Sequence, residues 1–282
     1  MNIDDITSGK VSSPADLIDL QESLQSNEFP VRWAFRGQSQ AYGTLAPSFQ
    51  RIFSQKRSVG AAEIIERDLI DTFREHYEKL TSQMTKDMPK PSSIGMGYDM
   101  RCLSVMQHYG VPTRLLDWTS HFWTAIYFAC AGDPSKDAEL WMYDREIFHE
   151  QLSNDYSSLL IATAQGYPPI EPELLSQRRS DLIIELDPQI TPRMRQQVAH
   201  HTLSSDILSD HVPLLFDLAQ KAQPQLGNDC FRRVLIAAGC KEKTLRFLEE
   251  QVKMTAGTIF PDVEGLEKFL HWHLESLVTT LL

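Results

Sequence analysis

The sequence predicts an α+β fold, a compact mixed sheet core with helical insertions, on three observations. Four segments have strand character: VRWAFRG at 31–37, AELWMYD at 138–144, DLIIELD at 181–187 and CFRRVLIAA at 230–238. The helical stretches between them are unequal in length, unlike those of a regular doubly wound sheet. Finally, 282 residues with 42% hydrophobic content can bury a sizeable core, as one large domain or as a main domain with a smaller appendage.

Taken in order, Ser13 before Pro14 marks a helix N-cap with proline in the first turn, and Leu17, Ile18 and Leu20 make one face of the helix that follows. Residues 1–29 therefore read as a helical flank. In VRWAFRG, Val31, Trp33 and Phe35 alternate with Arg32, Ala34 and Arg36, so a half-buried strand ends at Gly37 with Arg36 at its terminus. From about 61 to 80, Ile64, Ile65, Leu69, Ile70, Phe73, Tyr77 and Leu80 recur at helical spacing. The stretch 81–98, with Pro89, Pro91, Gly95 and Gly97, reads as a mobile loop able to cover a site.

A helix from about 99 to 109 stops at Gly110, a left-handed C-cap position, and Pro112 prevents its continuation. Trp118, Thr119 and Ser120 then read as a turn supplying the N-cap of a buried helix that runs through HFWTAIYFACAG to Gly132. The strands at 138–144 and 181–187 flank a polar, proline-bearing insertion near 150–180. PLLFDLAQKA has mixed character, CFRRVLIAA is a strand, KEKTLRFLEEQV is a helix and GLEKFLHWHLESLVTTLL closes the chain as a helix.

The net charge of −11 makes the average surface repel a phosphate backbone, which points to a small-molecule or protein partner. A nucleic-acid-binding or nuclease role would need the doublets Arg178 with Arg179, Arg193 with Arg195 and Arg232 with Arg233 on one face. Cys102, Cys130, Cys230 and Cys240 are far apart with no CxxC pair, so they read as reduced core residues. The start MNIDDITSGK lacks a secretion signal and no apolar run approaches the roughly 20 residues of a membrane helix, which predicts a soluble, cytoplasmic protein with no membrane partner. HExxH, P-loop and GxGxxG motifs and internal repeats are absent. His200 with His201, and His271 with His273, lack a third nearby ligand, so no metal is expected. Asp262 reads as a helix cap, and Trp33, Phe122, Trp123 and Phe128 as core.

Chemistry concentrates in two segments. FRGQS at 35–39 offers a guanidinium fork suited to phosphate, a glycine that admits a ligand or another backbone, and the Gln38 amide; its bland alternative is a strand-end ion pair. The segment 107–120 gathers His108, Tyr109, Thr113, Arg114, Asp117, Trp118, Thr119 and Ser120, enough rings and polar groups to cup a planar ligand. Its alternative is a buried knot in which Arg114 pairs with Asp117 and His108 caps a carbonyl. His108 is a candidate general base.

FRGQ at 35–38 with HYGVPTRLLDWTS at 108–120 resembles the FRG-domain family, and the likeness extends more loosely over 30–270, including TPRMRQQVAHHT at 191–202 and GTIFPDVEGL at 257–266. On this reading 30–270 is an FRG-like domain and 271–282 the end of a C-terminal helix. FRG followed by WTS and the apolar AIYFA is also similar to the mono-ADP-ribosyltransferase pattern. That second resemblance implies an ADP-ribosyltransferase-like core, NAD as substrate and an unknown macromolecular acceptor. It would give the pyrophosphate to Arg36, beside Gly37 and Gln38, and the nicotinamide or ribose wall to Thr119 and Ser120. Tyr109 or Trp118 would stack, Thr113 and Arg114 would complete the cofactor-binding set, and His108, Asp117 and Gln197 would be the catalytic candidates. No QxE pair occurs, and Gln197 stands where a late acid is expected; glutamine can bind ribose but cannot offset the charge of an oxocarbenium-like transition state. The acid is then Asp117 or Glu185, or the protein binds NAD-like ligands without turning them over. The resulting expectation is an NAD-utilising ADP-ribosyltransferase or glycohydrolase acting as a toxin or defence effector, with a non-catalytic nucleotide-sensing or protein-interaction module as the alternative.

Overall fold

The computed structural model describes residues 3–24, 33–53, 58–81, 96–145, 183–186, 191–204, 206–222, 230–261, 267–270 and 273–274. The expected insertion near 150–180, most of the loop at 81–98, Asp262 and most of the closing helix lie outside the described residues.

The elements in chain order are β1 (Thr7–Val11), α1 (Pro14–Leu24), β2 (Trp33–Gln38), α2 (Ser48–Ile52), α3 (Val59–Thr81), α4 (Met96–His108), β3 (Leu115–Thr119), α5 (Phe122–Cys130), β4 (Ala138–Asp144), β5 (Ile183–Leu186), α6 (Pro192–Gln196), β6 (Ala199–Ser204), α7 (His211–Ala222), β7 (Phe231–Ile236), α8 (Lys241–Phe247) and α9 (Ala256–Ile259). The strands form one seven-stranded sheet in the order β1-β7-β4-β2-β3-β6-β5. Only the β1–β7 pair is parallel; the other neighbours run antiparallel, so the fold is α+β with a mixed sheet.

Both faces of the sheet are covered. Trp33 and Phe35 of β2, Leu140 and Met142 of β4, and Val234 and Ile236 of β7 pack against α1 and the apolar α5. On the other face Ala34, Trp118, Trp141, Tyr143 and Phe231 pack against Val212, Leu215 and Leu218 of α7. The alternation of β2 thus feeds both layers. All four cysteines are buried outside any disulfide, and burial pushes the Cys130 thiol up to about 12.

The structure corrects the sequence reading at four places. The segment expected as an N-terminal flank supplies the edge strand β1, whose Lys10 and Val11 pair with Leu235 and Ile236. Residues 115–119 form a strand rather than a turn, paired with β6 from Leu115 opposite Leu203 to Thr119 opposite Ala199. The N-cap of α5 is consequently His121, whose ring nitrogen Nδ1 accepts from the Thr124 amide at 3.3 Å. Finally, the PLLFDLAQKA segment of mixed character lies in helix α7.

The sheet is loosest at its centre. β2 shares six register pairs with β4, and β3 shares five with β6, but β2 and β3 meet only at Phe35 opposite Thr119. Away from that pair the two strands part.

Candidate functional site

A cavity of about 290 Å³ opens where β2 and β3 part. Its lining includes Arg36 and Gly37 from β2, Gln107 and His108 from the end of α4, Asp117 and Thr119 from β3, and Thr124, Ala125 and Phe128 from α5. Arg193, Met194, Gln197, Ala199 and His201, from α6 and β6, close the far side. Strand alternation puts Asp117 and Thr119 on the cavity face and Trp118 on the other.

Arg36 spans the gap, its Nη1 donating to the Asp117 carbonyl oxygen at 2.8 Å. The Arg36 Nε–H is buried with no hydrogen-bond partner among the described residues. Burial pushes the guanidinium pKa down, while the charges of Asp117 and Glu139 push it back up. No carboxylate among the described residues forms a salt bridge with it.

Asp117 is held on both oxygens. His201 Nε2 lies 3.0 Å from Oδ1, across the direct β3–β6 register, and Gln107 Nε2 donates to Oδ2 at 3.0 Å. Gln107 is fixed in turn by Thr113, whose Oγ1 donates to its Oε1 at 2.6 Å, and His201 Nδ1 lies 3.3 Å from the Ser104 hydroxyl of α4. The Asp117 side chain lines the cavity and is 53% accessible. Desolvation pushes its pKa up; the His201 hydrogen bond and charge, with Arg36 and Gln107, outweigh this and hold it at about 2. The carboxylate is ionised throughout the physiological range.

Ser104, His201 and Asp117 have the residue types of a hydrolase triad in an inverted placement. Ser104 is fully buried in α4 and the carboxylate faces the cavity, so the serine is no nucleophile and the array serves to orient the carboxylate.

Residues 31–138 match the FRG domain. Comparison with curated proteins and with solved structures gives no match. The FRG segment runs from just before β2 to the start of β4, so it supplies Arg36, Gly37, Gln107, His108, Asp117 and Thr119. The wall formed by Arg193, Met194, Gln197, Ala199 and His201 lies beyond it. Among the described residues no group of three or more His, Cys, Asp or Glu is placed to hold a metal ion, and no helix is long and apolar enough to cross a membrane.

Of the predicted site residues, the cavity brings together Arg36, Gly37, His108, Asp117, Trp118, Thr119 and Gln197. The ring of Trp118 points away, donating through Nε1 to Thr202 Oγ1 and standing edge-on to Tyr143, so it offers no stacking face there. Gln38 is spent on the Thr44 carbonyl and on Glu139, and Thr113 on the Gln107 amide. Tyr109 is 59% exposed beside His108 and Tyr77, outside the lining. Arg114 also lies outside it. Its guanidinium grips both oxygens of Glu66 on α3, not the Asp117 carboxylate of the alternative buried-knot reading. Ser120 Oγ lies 3.2 Å from Arg145 Nη1. Gln197 accepts from Thr119 Oγ1 through its carbonyl at 2.6 Å, and its own Nε2 reaches the Ile259 carbonyl at 3.3 Å. Glu185 stands in β5 opposite Thr202.

The sequence reading missed Gln107, Arg193 and His201 as site residues. Gln107 sits one turn before the helix stop at Gly110, and His201 belongs to a histidine pair whose sequence suggests at most a metal ligand. A signal for His201 existed in the alternation of AHHTLS, which gives His200 and His201 opposite faces of one strand.

Gly37 has a different role from a ligand approach. A Cβ there would stand 1.9 Å from the Ala125 carbonyl oxygen and 2.7 Å from the Ala129 nitrogen, so the glycine lets α5 lie directly on β2 and form the cavity's side wall. Val198 has φ of 46°, a left-handed conformation costly for a β-branched residue, and its carbonyl accepts from the Ser120 amide. This strained turn ties the α6–β6 wall to the end of β3.

Proposed function

We propose that the protein breaks the bond between nicotinamide and ribose in NAD, as a glycohydrolase or an ADP-ribosyltransferase. The observation that carries this reading is the meeting of Arg36 and an ionised Asp117 in one cavity. Cleavage of an N-glycosidic bond passes through an oxocarbenium-like transition state whose positive charge a fixed carboxylate stabilises. Asp117 faces the cavity, ionised and oriented by His201 and Gln107, and so takes the part that Gln197 cannot. The Arg36 guanidinium is a seat for phosphate, and Thr119, Gln197 and Thr124 line the same cavity.

The test is to incubate purified protein with NAD, alone and with cell lysate, and follow nicotinamide release and transfer of labelled ADP-ribose. Release or labelling by the parent that vanishes in Arg36→Ala is expected. No turnover under either condition would contradict the proposal. An effector role in toxicity or defence is part of the same reading: overproduction should harm cells, and Arg36→Ala should remove the harm.

One observation favours a second reading, a nucleotide-sensing module without chemistry. Both Asp117 oxygens already accept a hydrogen bond, which suits a site that holds a cation or ribosyl group at rest. Calorimetry separates the two: tight NAD binding without nicotinamide release selects the sensor.

A further inference from the structure

A second cavity, of about 620 Å³, abuts the first, and Phe128 and Arg193 line both. The first cavity, at about 290 Å³, sits at the lower edge of the roughly 300–1,000 Å³ typical of small-molecule sites, so it has room for one end of a dinucleotide and not the whole. The second cavity has the volume for the remainder.

Its walls combine aromatic surface with positive charge. Tyr127, Phe128 and Phe260 stand edge-on to one another, with ring centroids 5.8, 5.9 and 6.4 Å apart. Over the Phe260 ring lie the Arg193 guanidinium, 4.2 Å from the centroid, and the Lys268 ammonium, 4.4 Å from it. Met254 adds a polarisable apolar surface, and Glu249 is the carboxylate of the lining. A planar heteroaromatic ring gains from such a wall, and a phosphate gains from the two cations beside it. Arg193, at the junction of the two cavities, stands where the link between the two halves of a dinucleotide would pass.

We infer that this second cavity is the subsite for the adenosine phosphate half of the ligand, with Arg193 holding the phosphates between the cavities. This rests on the NAD reading for what fills the first cavity, but the binding it predicts in the second is independent of turnover. Adenine would lie against Tyr127 and Phe128, and a ribose hydroxyl would donate to Glu249.

The test uses positions that line the second cavity alone. Ala131→Trp, at an exposed helix end, fills it, and Lys268→Glu, also exposed, reverses one of its charges. Calorimetry with AMP and with nicotinamide mononucleotide should show AMP binding to the parent and a loss of tenfold or more in both variants. Nicotinamide mononucleotide, which needs only the first cavity, should keep its affinity. AMP that fails to bind the parent, or binds all three proteins equally, overturns the inference. Nicotinamide release with an unchanged KM for NAD in Ala131→Trp also overturns it while leaving the proposed reaction intact. AMP binding that the variants remove, in a protein that releases no nicotinamide, upholds the subsite and rejects the reaction.

Discussion

Gly37 shows how a single residue fixes the site. With the Ala125 carbonyl 1.9 Å from where a Cβ would stand, Gly37→Ala must push α5 away from β2 or distort the strand. The expected loss is about 1–3 kcal/mol or more, read as a lower denaturant midpoint, because overpacking against backbone has no flexible side chain to yield. An unchanged midpoint would show that the helix has room to move. The need for glycine was legible in the sequence, as close approach by a ligand or a backbone; which of the two approaches was not, because α5 arrives from a later part of the chain. Arg36 was legible as a strand-end cation. His201 was not recognised as the partner of Asp117, since only the β3–β6 register brings them together.

Among the elements, β3 is the instructive case. LLDWT is buried except at Asp117, and a single charged residue in a short apolar run does not produce the alternation that marks a strand. Its neighbours Gly110, Pro112 and Ser120 favoured a turn, so the strand that carries the carboxylate was read as part of a loop. Arg114, just before β3, pairs with Asp117 only in the alternative buried-knot reading of the sequence, and in the structure it reaches Glu66 on α3. That pair is nearly inaccessible, with side chains 11% and 10% exposed, and it anchors α3 beside β3. Glu66→Ala leaves a buried guanidinium without its carboxylate and should cost about 3–5 kcal/mol. Urea denaturation of the variant, and of a double variant with Arg114→Leu, checks this: the double variant should recover part of the loss, and equal stability of parent and Glu66→Ala would refute the anchoring role.

For the whole molecule, the α+β class was legible because strand patterns and unequal helices recur along the chain. The order of the strands was not, because nothing local in the sequence puts β1 against β7 or lets β2 and β3 diverge. The buried polar interior also sets a pH response. Burial and the Arg36 charge push the His211 pKa down to about 3 from an ordinary 6.5, while its Nδ1 lies 3.0 Å from the Thr202 hydroxyl. The unfolded chain takes up a proton near pH 6.5 that the folded chain refuses until about pH 3. The neutral, buried ring is therefore fully compatible with folding above pH 6.5, and stability declines as pH falls from there toward 3. His211→Gln should flatten that decline in denaturation midpoints measured across the interval, and parallel declines would show that other groups cause it. In the proposed function Asp117 is the ionised carboxylate that stabilises the transition state of NAD cleavage. The most direct measurement is nicotinamide release by Asp117→Asn under saturating NAD, with ADP-ribose affinity measured alongside. A fall in kcat on the order of 100-fold or more with ADP-ribose binding retained is expected; release at the parent rate would show that the carboxylate takes no part in the cleavage.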